Sequence, residues 1–137
     1  LLALIGMVAA AWVDPMGRVL PMAAAHLGAI VIVAGIGGVL WVSQVFEDAG
    51  TTTKPFHVSS VLVMDGPFRV SRNPMYLGMV VILVGVGLAL RSLLPFVVVP
   101  MFALAIQWRF IVAEERALER DFGEAYRDYR ETVRRWL

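Results

Sequence analysis

The chain has 137 residues, 59% of them hydrophobic and only 17% charged, with a mean hydropathy of +0.75. Soluble domains average roughly 45–50% apolar and about 25% charged, so this composition points to a membrane protein and argues against soluble α/β folds and disorder. The net charge of +1 offers no field for nucleic acid, the length leaves no room for a separate soluble enzyme domain, and the lack of cysteine excludes disulfides and thiolate chemistry.

Four uncharged stretches carry the apolar residues. The first covers residues 1–13 and ends at Asp14-Pro15. It is short for a span, which fits a trimmed helix; a signal-peptide core is the rival reading, but no basic region precedes it. The second covers residues 19–46 and is ample, since a helix needs about 20 apolar residues to cross the hydrocarbon. The third covers 73–90, and the fourth is predicted over 92–112 once its interfacial end is included. The runs are continuous rather than alternating, so the expectation is helices, not a barrel. The fold class expected is therefore all-α integral membrane, a single domain with four transmembrane helices and a C-terminal amphipathic helix. Arg91-Ser92 is a very short link, which predicts an antiparallel hairpin of the last two spans. Pro95 and Pro100 mark a place for a bend.

With four spans, Arg18 and Arg91 fall on one side and the other ten of the twelve basic residues on the opposite side. By the positive-inside rule, the loop 47–72, the tail 113–137 and both ends of the chain are cytoplasmic. In the second span, Gly28, Gly35, Gly37 and Gly38 suit close helix packing. His26 is a candidate proton relay or metal ligand there. A lone histidine more often packs against a hydrogen-bond partner, and His57 is too distant in sequence to complete a ligand pair. No metal site is expected.

The loop 47–72 is long for a helical bundle, and long loops are usually functional or disordered. Its stretch 51–56, with Lys54, leads into an apolar patch over 58–64 that suits the membrane interface. Asp65-Gly66-Pro67-Phe68 reads as a turn. Asn73 is a good N-cap and Pro74 suits the first helical turn, which explains both residues structurally. Arg72 opposes the macrodipole at that helix start, although basic residues are common at the cytoplasmic interface.

The tail 113–137 reads as one amphipathic helix. Leu118, Phe122, Ala125, Tyr126, Tyr129, Val133 and Trp136 form a stripe at spacings of three and four. Like and opposite charge pairs at i,i+4 about cancel, so the stripe is the better reason for a helix. Glu115 projects close to that stripe and Glu114 lies at its edge. A carboxylate on an apolar face is costly unless paired, which makes both candidate site residues. Arg109 projects to the opposite side of an unbroken helix. The bland alternative places Arg109 at the interface and both glutamates in water.

Several of these residues match a known pattern. Gly66-Pro67-Phe68-Arg69-Val70-Ser71-Arg72-Asn73-Pro74-Met75-Tyr76-Leu77-Gly78 precedes a membrane hairpin. Glu114-Glu115 and Phe122-Gly123-Glu124-Ala125-Tyr126-Arg127-Asp128-Tyr129 follow it. In this order, over residues 50–136, they resemble the isoprenylcysteine carboxyl methyltransferase family, which is similar to the phospholipid methyltransferases. The resemblance implies an integral membrane methyltransferase that uses S-adenosylmethionine without a Rossmann domain. It implies cofactor binding by Arg72, Asn73, Pro74, Tyr76, Leu77, Glu114 and Glu115. Gly85 and Gly87 resemble the Gly-x-Gly cofactor segment of the phospholipid methyltransferases. Asn73 stands where many relatives have histidine. The candidate catalytic residues are Glu115 and Arg109, the charge of Arg109 being suited to orient an anionic acceptor. Carboxyl O-methylation of a lipid-like or isoprenoid acceptor is the first expectation. Amine N-methylation of a phospholipid headgroup is the second, and a non-catalytic lipid-binding scaffold is the rival from another class.

Overall fold

A computed structural model describes residues 1–14, 16–50 and 61–137. Lys54, His57 and residues 58–60 of the apolar patch lie outside the described residues. The described residues are helical, with no strand among them: α1 (Leu2–Val13), α2 (Met22–Asp48), α3 (Pro74–Leu90), α4 (Val98–Ile106), α5 (Val112–Phe122) and α6 (Glu124–Thr132). A 3₁₀ turn, Leu94–Val97, leads into α4, and a π turn, Gln107–Ile111, joins α4 to α5, so one helix runs over Leu94–Phe122.

Two helices, Met22–Asp48 and Leu94–Phe122, are long and apolar enough to cross a membrane. Only 11% and 6% of their most apolar windows are buried, so their apolar side chains are not covered by protein, as expected of a surface solvated by lipid. The other two expected spans are shorter. At about 1.5 Å per residue, α3 measures about 26 Å and α1 about 18 Å, against roughly 30 Å of hydrocarbon.

The chain divides into two compact units. The first contains Leu1–Gly37 and Gly78–Ala105. Within it, α2 and α3 cross at glycines. A Cβ on Gly28 would lie 2.5 Å from the Gly85 carbonyl oxygen, and one on Gly85 would lie 2.8 Å from the Gly28 carbonyl oxygen. Gly35 faces Ile82 and the Gly78 carbonyl in the same way. The packing expected of Gly28 and Gly35 is present, whereas Gly37 and Gly38 have open space. His26 is exposed on α2 rather than packed, a correction to the sequence reading. The short Arg91-Ser92 link closes the hairpin with Arg91 at φ 61°. The Arg91 side chain donates from Nε to the Leu20 carbonyl at 2.8 Å, and Leu20 N–H donates back to the Arg91 carbonyl. Asp14 accepts the Ser92 hydroxyl and the Leu94 N–H, so its carboxylate caps the start of the long helix. The Ser92 hydrogen bond first, then the Met16 N–H, hold the Asp14 carboxyl below its ordinary pKa.

The second unit contains Gly38–Leu77 and Ile106–Leu137. Its core is Val42, Phe68, Tyr126 and Tyr129, with Val45, Phe46, Met75, Leu118, Phe122 and Val133 packed around it. The expected turn at residues 65–68 is a 3₁₀ turn, Gly66–Arg69, that inserts Phe68 into this core. The tail is not one helix over 113–137. Gly123 adopts φ +54°, which breaks the helix, and the backbone becomes extended at Val133. The stripe survives the break except at Ala125, which is exposed. The break also changes the charge pairing, because Glu119 receives Arg127 at 3.1 Å and Arg130 at 3.4 Å instead of pairing at i,i+4.

Candidate functional site

The polar cluster of the second unit is assembled from three pieces of chain: residues 71–76, the first turn of α5, and residues 134–136. Phe68 anchors the first piece. Its carbonyl accepts the Tyr129 hydroxyl at 2.7 Å inside the core. Asn73 then begins α3, and its carbonyl accepts the Leu77 N–H as a first helical bond. Its position is that of an N-cap, but its side-chain amide donates across to the Arg135 carbonyl at 3.2 Å. Ser71 Oγ donates to the same carbonyl at 3.1 Å, and the Arg72 N–H donates to the Arg134 carbonyl at 3.0 Å. The extended tail is therefore laid against residues 71–73. Trp136 adds a bond from its indole N–H to Gln107 Oε1 at 2.9 Å, tying the tail to the π turn.

Glu115 is the centre of the cluster. It is 9% exposed and accepts two parallel bonds from Arg135, Nε to Oε1 at 3.0 Å and Nη2 to Oε2 at 2.6 Å. Arg72 Nη1 approaches the same Oε1 at 3.2 Å and donates to the Tyr126 hydroxyl at 3.3 Å. A buried carboxylate is tolerable here because two guanidiniums share it. The bond from Glu115 also raises the Arg135 pKa, and burial pushes the Tyr126 phenol up, with the Glu115 charge adding to it. Glu114 takes a different partner, accepting the Tyr76 hydroxyl at 2.8 Å. Arg72 Nε is buried and has no hydrogen-bond partner among the described residues.

The structure thus brings Arg72, Asn73, Tyr76, Glu114 and Glu115 together, with Pro74 and Leu77 in the same first turn of α3. It does not bring Arg109 to them. Arg109 is exposed, its guanidinium 5.5 Å from the centre of the Phe110 ring, and the partners of Glu115 are Arg72 and Arg135. Gly85 and Gly87 sit in helix packing, Gly85 against Gly28 and Ile32 and Gly87 against the Phe96 ring. Sequence reasoning missed Arg135 and Tyr126 as members of the cluster. Tyr126 carried a signal through the stripe, but the pairing of residues 115 and 135 depends on the break at Gly123. Among the described residues, no group of three potential ligands could hold a metal ion.

A protein of Haemophilus influenzae described as uncharacterized is 43% identical over 63 residues, which are 46% of this chain and 100% of that protein. No solved structure matches. The family model described as phospholipid methyltransferase matches residues 23–125, from α2 through α3 and the long helix into α6. The chain belongs to the phospholipid methyltransferase family, whose members are methyltransferases of lipid-like substrates.

Proposed function

We propose that the chain transfers a methyl group from S-adenosylmethionine to a lipid-like acceptor at the cytoplasmic face of a membrane. The observation that carries this reading is the partly buried cluster of Arg72, Glu115, Tyr76 and Glu114, built from the segments that resemble the family's cofactor site. The four apolar helices are read as four spans, with both ends of the chain on the side of the ten basic residues.

The residues present fit the zwitterionic end of the cofactor. Arg72 has a buried Nε–H without a partner among the described residues, a donor suited to a carboxylate. Glu114, held by Tyr76, is the carboxylate suited to an ammonium. Glu115 keeps Arg72 in place from within the cluster. When bound, S-adenosylmethionine supplies an activated methyl group, and the protein's share is to align it with the acceptor and exclude water. Asn73, Pro74 and Leu77 support that alignment as the first turn of α3. Gly85 and Gly87 are assigned to the cofactor by resemblance alone. Arg109, exposed at the π turn and apart from the cluster, is assigned to an anionic acceptor group on its charge alone.

Carboxyl O-methylation is the first reading. A carboxylate is already deprotonated at neutral pH, so its methylation asks for no general base, and Glu114 and Glu115 are both engaged in hydrogen bonds. Amine N-methylation of a phospholipid headgroup is the second, favoured by the family's description, and it requires a group such as Glu114 to take a proton. Nanodisc-embedded protein given a methyl-labelled donor, mixed phospholipids and isoprenoid carboxylates tests both. Label released as methanol in mild alkali marks an ester, and label retained on the headgroup marks an amine. A folded protein that neither transfers label nor binds S-adenosylhomocysteine overturns the reading in favour of a lipid-binding scaffold.

A further inference from the structure

We infer that Arg135 is a positioning residue of this site, acting through Glu115 to hold the Arg72 guanidinium with its Nε–H facing the ligand. The inference rests on the cofactor reading above and concerns a residue outside the motifs that carry the resemblance. Two parallel bonds from one guanidinium define the plane of the Glu115 carboxylate, which a single contact would leave free to rotate. The plane so defined turns Oε1 toward Arg72 Nη1. Arg72 is then held at Nη1, by Glu115 and by the Tyr126 hydroxyl, while its Nε–H keeps no partner among the described residues. The Arg72 side chain is only 9% exposed, so this donor is lost to water unless a ligand takes it. A buried donor without a partner costs stability, and a native fold keeps one where it has a use.

The tail delivers Arg135 with little freedom. Its carbonyl is held by Ser71 and Asn73, and the neighbouring Arg134 carbonyl is held by the Arg72 N–H. Arg135 is thus referenced to the same three residues that carry Arg72. The unpartnered Nε–H belongs to a guanidinium, so the group best suited to meet it is an anion. Arg135 commits its Nε and Nη2 to Glu115, so its effect on that group runs through the carboxylate.

The test compares wild type with Arg135→Gln and Arg135→Lys in nanodiscs, each checked for helicity and melting temperature. Two readouts are taken: the nuclear magnetic resonance signal of the Arg72 Nε–H in the ligand-free protein, and calorimetric binding of S-adenosylhomocysteine. Arg135→Gln is expected to shift the Arg72 signal and to weaken binding by about tenfold to a hundredfold, the effect of losing a charged hydrogen-bonded pair. Arg135→Lys keeps the charge but not the fork, so it is expected to restore only part of the affinity. Methyl transfer at saturating cofactor should fall far less than affinity. An Arg72 signal unmoved in Arg135→Gln overturns the proposal whatever the binding. Unchanged affinity in a folded Arg135→Gln overturns it as well. A signal that moves in a protein whose wild type binds no S-adenosylhomocysteine supports the positioning geometry and refutes the cofactor reading instead.

Discussion

Tyr76 donates its phenolic hydrogen to Glu114 at 2.8 Å, joining the first turn of α3 to the first turn of α5. The two residues are 38 positions apart; the tail stripe and the resemblance both singled out Glu114. Tyr76→Phe removes the donor and keeps the ring. The start of α3 has other anchors, namely Asn73 on the Arg135 carbonyl and the Leu77 N–H on Asn73, so the fold should persist. The loss of one hydrogen bond to a half-buried carboxylate is expected to cost about 1.5 kcal/mol, or roughly tenfold in cofactor affinity. Calorimetry with S-adenosylhomocysteine checks this, with circular dichroism as the control for folding.

The crossing of α2 and α3 predicts a contrast between two glycines of one helix. A methyl group at Gly28 would meet backbone, the Gly85 carbonyl oxygen at 2.5 Å and the Ala89 nitrogen at 2.6 Å, so the helices must separate. Gly28→Ala is expected to destabilise by about 1–3 kcal/mol, as overpacking does. Gly37 has nothing within 4 Å, and Gly37→Ala should be neutral or stabilising by up to about 1 kcal/mol through helix propensity. Melting temperatures in one detergent compare the two variants directly.

Hydrophobic runs made the helices legible, because lipid permits few backbone solutions. The ends of α1 and α3 fall within a few residues of the uncharged stretches that predict them. The stripe on the tail was legible as well, since Leu118, Phe122, Tyr126 and Tyr129 share one core. The division of that tail was not. Gly123 is one small residue in a run of good helix formers; it takes the positive φ of a helix C-cap without a Cβ penalty, a signal that the unbroken stripe outweighed. Because Arg135 reaches Glu115 only beyond that break, periodicity placed the acid near a buried face and could not name its partner. Arg109 attracted attention as the cation at the end of the fourth span, whereas the π turn leaves it exposed over Phe110.

The hydroxyl of Tyr129 is buried in the core and donates to the Phe68 carbonyl. Burial is the main cause that pushes its pKa up to about 12, and Tyr126 adds to it. An unfolded tyrosine ionises near 10. The folded state therefore favours the neutral phenol, and this contribution to stability is complete below pH 10 and lost as pH rises toward 12. Melting temperature should fall across that window while tyrosinate absorbance grows. In Tyr129→Phe the Phe68 carbonyl loses its donor, which is expected to cost about 1–2 kcal/mol at neutral pH. The same variant should show a flatter alkaline profile than wild type.

The two adjacent acids of α5 should separate fold from ligand. Glu115 sits between Arg72 and Arg135, and its removal leaves two guanidiniums facing each other without a counter-ion. Breaking a buried ion pair costs roughly 3–5 kcal/mol, but the Arg135 side chain is 36% exposed and water offsets part of that. Glu115→Gln is therefore expected to destabilise by about 2–3 kcal/mol and to lower the melting temperature by several degrees. Among the described residues Glu114 pairs with the neutral Tyr76, and a glutamine can still accept that bond. Glu114→Gln should leave melting nearly unchanged and weaken S-adenosylhomocysteine binding by about tenfold or more, since the charge suited to an ammonium is gone. A Glu114→Gln protein that binds like wild type would remove that carboxylate from the cofactor site.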